Sequence, residues 1–169
     1  MRTIFATIAL VCAATFALSA CDQQDKSKQT QVEQAPAVVA KPTDPNDKAG
    51  WKKYLQATVL ANMQGVKTNH PYMYYVPGGD DDAAKADRSN QLDNVKTVVA
   101  RGVLPGNMMA FGGPDSKITS DLIVEAFKDV QAGSFKDVVV LFIGAQADSD
   151  AVKQALTTSG AEFRFVEAK

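Results

Sequence analysis

Six consecutive apolar residues, Val138-Val139-Val140-Leu141-Phe142-Ile143, constrain this chain more than any other feature. A strand with one wet face alternates apolar and polar side chains, because successive residues point to opposite faces. A run without alternation, this short and this rich in β-branched residues, reads as a strand covered on both sides. Such strands sit at the centre of parallel sheets, where crossover helices cover the faces.

The flanking segments fit that frame. Trp51, Tyr54, Leu55, Val59 and Met63 recur at three- and four-residue spacing, which predicts one face of a helix running to Gly65. Pro71 to Val76 is aromatic and β-prone, and Pro77-Gly78-Gly79 closes it as a strand. Asp80-Asp81-Asp82 caps a helix carrying Leu92, Val95, Val98 and Val99 and stopping at Gly102. Asn107 to Phe111 is a short buried strand, turned by Gly112 to Ser116 into a helix with Ile118, Leu122, Ile123, Ala126, Phe127 and Val130 inward. Gly144 leads from the central run into Ala145 to Ser149, whose Asp148 and Ser149 read as the cap of a helix containing Val152, Ala155 and Leu156. Glu162 to Glu167 alternates, as an edge strand with one wet face does. Strand and helix alternate three times with short connections. The expectation is an α/β domain over residues 49–169: a small, mostly parallel four-stranded sheet with helices on its faces, preceded by an amphipathic helix. An antiparallel first or last strand stays open.

The beginning of the chain is of another kind. Arg2 precedes an uncharged apolar stretch that is too short for a transmembrane helix before polar Asp22-Gln23-Gln24 begins. It ends Leu18-Ser19-Ala20-Cys21, which resembles the lipobox of bacterial lipoproteins. The resemblance implies a signal peptide over residues 1–20, acylation of Cys21, and anchoring to a membrane facing the periplasm; stable anchoring takes more than one acyl chain. Asp22 resembles the signal that retains lipoproteins of enteric bacteria in the inner membrane, so that membrane is favoured. Residues 21–48 are Gln, Lys, Asp, Thr, Pro and Ala, broken by Pro36, Pro42 and Pro45, with Val38-Val39 too little to bury. They read as a flexible tether spanning roughly 25–30 Å as a coil. Cys12 leaves with the signal and Cys21 is alkylated, so the mature protein has neither free thiol nor disulfide. Its core must hold without a staple.

Charge narrows the function. Lys and Arg total 18 against 19 Asp and Glu, so no basic excess exists to neutralise phosphates, and nucleic acid is excluded as a partner. Three βα loops meet at the carboxyl ends of the strands: Gly78, Gly79 and Asp80; Gly112, Gly113, Asp115 and Ser116; and Gly144 to Asp148 and Ser149. They read either as a ligand crevice lined by backbone N–H groups and carboxylates, or as turn glycines and helix caps. None completes a dinucleotide fingerprint or supplies a P-loop lysine. Three successive carboxylates at Asp80 to Asp82 cannot all face one Ca²⁺, and zinc ligands are lacking. No metal and no cofactor is expected. His70, the only histidine, has no Gly-x-Ser-x-Gly elbow to serve and reads as a surface or hinge residue. A paired-carboxylate hydrolase stays open, because sequence spacing does not measure distance across a crevice.

Tyr72 and Tyr74 share one face of their strand, Met73 and Tyr75 the other. One pair joins the core. An exposed pair would suit a protein interface, which favours tyrosine and methionine, so Tyr72 and Tyr74 are candidate partner contacts. The expectation is a non-enzymatic, membrane-tethered module with a protein partner. In layout it is similar to lipoproteins that neutralise a toxin or cell-wall hydrolase, immunity proteins among them. The alternatives are a small-ligand receptor using the three-loop crevice, or an assembly component of the envelope or a secretion system.

Overall fold

The computed structural model describes residues 39–169; the signal segment, Cys21 and the first part of the tether lie outside the described residues. The elements follow as α1 (Lys48–Ala61), β1 (Tyr72–Tyr75), α2 (Asp82–Arg101), β2 (Met108–Gly112), α3 (Ser116–Phe127), β3 (Val139–Gly144), α4 (Gln146–Leu156) and β4 (Glu162–Glu167). The strands lie in the order β1-β2-β3-β4, and each pairs parallel to the next. The first and last strands are therefore parallel too, and the fold is α/β as expected.

That order decides where the helices go. Right-handed crossovers that always step the same way leave every connecting helix on one face. Val95 and Val99 of α2, Leu122 and Ile123 of α3, and Val152 and Leu156 of α4 accordingly bury into one cluster. Trp51, Tyr54, Leu55 and Val59 of α1 bury into another with Met108, Ala110, Val139, Leu141 and Ile143 on the opposite face. The apolar run of β3 is thus covered on both sides, and all six residues of that strand are buried.

The parallel register lines up Tyr74, Phe111, Phe142 and Phe165 across all four strands beneath α2, α3 and α4. Tyr74 stacks on Phe111 with centroids 4.8 Å apart, and Phe142 meets Phe165 at 5.9 Å. Burial pushes the Tyr74 hydroxyl up to about 12, with Tyr72 adding to it. The folded state therefore holds this proton more tightly than the unfolded chain, whose tyrosine ionises near 10. Stability is fully present below about pH 10 and declines as pH rises toward about 12. We expect spectrophotometric titration to show Tyr74 ionising last, together with unfolding; a normal titration of all four tyrosines would contradict this burial.

Two boundaries differ from the periodicity. Helix α1 ends at Ala61 rather than Gly65, because the Asn62 amide donates to Thr58 O (2.7 Å) and the Gln64 amide donates to Ala61 O (2.9 Å). Met63 still packs against the core from beyond the helix. The tether also becomes part of the fold earlier than composition suggests. Val39 packs against the α1 cluster, Lys41 Nζ donates to Ala168 O (2.9 Å), and the Trp51 indole N–H donates to Asp44 O (3.1 Å). Asp47 caps α1 by accepting from Gly50 N (2.8 Å). Polar backbone and one indole hold this segment where large apolar side chains are scarce. Strand β4 likewise has no fully wet face. Phe163 and Phe165 pack toward α4, Val166 packs on the α1 side, and Arg164 Nη1 donates to Asn62 O (2.9 Å).

Candidate functional site

The three glycine-bearing loops do come together at the carboxyl ends of β1, β2 and β3, but as a packed row. Ligand crevices in open α/β sheets form where the strand order reverses; the order β1-β2-β3-β4 never does. The glycines occupy tight contacts instead. A Cβ on Gly78 would lie 2.9 Å from Pro114 Cγ, one on Gly113 2.0 Å from Val76 O, and one on Gly144 2.6 Å from Ser116 Oγ. A Cβ on Gly112 would lie 2.4 Å from Leu55 Cδ2 of α1. Gly79 is the conformational exception, with φ at +84° in the left-handed region.

The polar residues of these loops are equally occupied. Asp81, between Asp80 and Asp82, caps α2 by accepting from Ala84 N, and that bond holds its carboxyl below the usual range. Asp115 caps α3 by accepting from Ile118 N (2.9 Å). The expected cap of α4 is corrected: its N-cap is Ala145, without a side-chain bond, and Asp148 and Ser149 lie inside the first turns of the helix. The capping oxygen comes from another helix. Ser116 Oγ accepts from Ala145 N (2.7 Å) and donates to Asp148 Oδ2 (2.5 Å). Ser120 Oγ reaches Asp148 O, and Ser149 Oγ donates to Gln146 O. This seam ties α3 to α4 and engages the Ser116 hydroxyl both as donor and as acceptor. Arg88, which sequence reasoning passed over, ties down the first loop; its Nη1 donates to the carbonyls of Pro77, Gly78 and Gly79, the last at 2.7 Å.

Among the described residues no group of three His, Cys, Asp or Glu side chains converges as a metal site. His70 is exposed, with only its backbone N–H bonded, to Thr68 Oγ1. A cross-helix tie joins α2 to α3: Lys128 and Lys96 both donate to Glu125 Oε1, at 2.7 and 2.6 Å, and hold that carboxyl down at about 2.

What remains open is the outer edge of β1. Tyr74 is buried against Phe111, which removes it from the candidate partner surface. Tyr72 and Met73 are exposed, at 42% and 39%. Exposure changes along this strand rather than between its faces: its beginning is bare and its end is covered. Beside it a groove of about 510 Å³ runs between α1 and α2, with Met73 and Tyr75 as floor and Lys48, Lys52, Asp87 and Gln91 among its walls. The cue available in the sequence was Tyr72-Met73-Tyr74-Tyr75 itself, a strand without a charge.

No protein-family model matches the chain, nor does any of the curated proteins or solved structures compared with it.

Proposed function

We propose that this protein is a lipoprotein, anchored by acyl chains on Cys21 to a membrane facing the periplasm, whose folded domain is a non-enzymatic protein-binding module. Toxins and cell-wall hydrolases are the partners such a layout serves. One observation carries the binding reading: Tyr72 and Met73 stand exposed side by side on an uncharged edge strand. Tyrosine and methionine are enriched where proteins meet, and an unprotected strand edge is a standing invitation to pairing. The loops that suggested a small-ligand crevice are spent on packing and capping, so the protein partner is the stronger reading. The lipobox Leu18-Ser19-Ala20-Cys21 supports the anchor.

A photo-crosslinking amino acid placed at Tyr72 in cells of the native organism tests both parts together. We expect a discrete adduct with a secreted or envelope protein, and metabolic labelling of the chain with palmitate that is lost on Cys21→Ser. The same probe at Asp150, exposed on α4, is expected to give none. Absence of an adduct at Tyr72, or an identical one at Asp150, defeats the binding reading. Palmitate labelling that is absent from the native chain, or that persists after Cys21→Ser, defeats the anchor.

A further inference from the structure

Resting on the protein-binding reading above, we infer that the partner docks by adding an extended segment to the open edge of β1, with an acidic side chain set against Lys52. Three observations carry it.

The first is the free backbone. Val76 N donates to Gly112 O of β2 (2.8 Å). Backbone groups of successive strand residues alternate in direction, so those of Tyr74 and Tyr72 also face β2, while those of Met73 and Tyr75 face outward. Among the described residues the sheet ends at β1. Two N–H donors and two carbonyl acceptors therefore line the edge. They offer the hydrogen bonds that strand addition uses for affinity.

The second is the contrast between the two edges. Strand β4 carries Glu162, Arg164 and Glu167, charges of the kind that keep foreign strands away. The lead-in segment also reaches that edge, where Lys41 is bonded to Ala168 O. Strand β1 has no charge, and it lies on the far side of the sheet from Lys41.

The third is the charge of the walls. Lys48 on α1 already faces Asp87 on α2 at 3.7 Å. Lys52, one turn further along α1, is exposed and makes no ion pair among the described residues. The α2 wall adds the neutral amides of Asn90, Gln91 and Asn94. A carboxylate in the docked segment complements this groove. A second copy of the chain does not, since Tyr72-Met73-Tyr74-Tyr75 brings no acid to Lys52. Two four-residue strands alone also fall short of the ~1,000 Å² that a specific interface needs.

The test pans a phage-displayed library of random peptides against the full chain and measures the most enriched peptide by fluorescence anisotropy. Enriched peptides are expected to be β-prone, with Asp or Glu at one fixed position. Met73→Pro deletes an outward N–H that the fold does not use, a substitution an edge strand tolerates. It is expected to weaken binding about tenfold, the loss of roughly one well-made hydrogen bond. Met73→Ala, which keeps the N–H, is expected to cost clearly less. Lys52→Glu, a surface change, is expected to weaken binding about tenfold as well. The amides of Met73 and Tyr75 should become protected from hydrogen exchange on binding. Binding indifferent to Met73→Pro and Lys52→Glu overturns strand addition, as does binding lost instead on Glu167→Lys, a change at an exposed position of the opposite edge strand. A library without enrichment also overturns it, while the Tyr72 crosslink separately decides whether a protein is bound at all. A concentration-dependent dimer abolished by Met73→Pro overturns it in favour of self-pairing.

Discussion

Phe142→Ala is expected to destabilise the domain by about 3–5 kcal/mol, a large share of the roughly 5–15 kcal/mol that holds a domain of this size together. Phe142 is fully buried on β3, one of the two inner strands, inside the aromatic row from Tyr74 to Phe165. Its register neighbours are the aromatics Phe111 and Phe165, and Gly144 lies against its ring edge. Relaxation into the hole would have to bend β3 away from its pairing with both neighbours. Transfer and cavity costs therefore add in full. Phe165→Ala, at the half-buried end of the same row, should cost about half as much by the same reasoning. Urea denaturation monitored by circular dichroism checks both: the midpoint should fall and the slope stay constant. Equal losses at the two positions would mean that β3 is not an inner strand with β4 at its edge.

The prominence of Phe142 was legible from sequence because periodicity is a local signal. An unbroken apolar run admits few structures, and the loops around it carry glycine where the chain must turn. The winding was not legible. Amphipathic patterns in α2, α3 and α4 say that each helix buries one side, without saying that all three share a face of the sheet. That follows only from the order β1-β2-β3-β4, and that order lacks the reversal at which such crevices form.

Locality also explains what was legible of the candidate site. Asp81 and Asp115 cap their own helices, within three residues of their donors, so ordinary capping rules find them. Ser116 caps a helix 29 residues away, and Arg88 fastens a loop nine to eleven residues back. No spacing rule reaches either. For β1 the alternation of faces is correct, yet it does not separate Tyr72 from Tyr74. Their difference comes from how far along the strand the neighbouring elements extend, which is a tertiary fact.

Gly113→Ala is expected to be the most damaging single-methyl change in the loops, on the order of 3 kcal/mol. The added Cβ would lie 2.0 Å from the carbonyl oxygen of Val76 and 3.0 Å from its carbon. Both are backbone atoms of a residue only 1% exposed, whose own N–H is bonded to Gly112 O. The clash cannot be relieved by a rotamer; Val76 must move, and the end of β1 must move with it. Gly112→Ala is the informative control. Its nearest contact, at 2.4 Å, is the tip of the Leu55 side chain, which can shift within the α1 cluster at a smaller cost. We therefore expect Gly113→Ala to exceed Gly112→Ala, and its excess to appear as faster hydrogen exchange at Tyr74 and Val76, the amides that join β1 to β2. Because β1 is the proposed docking strand, Gly113→Ala should also weaken peptide capture without touching the groove itself. A smaller loss at Gly113 than at Gly112, or a loss spread evenly over the sheet, would show that β1 is not held through this contact.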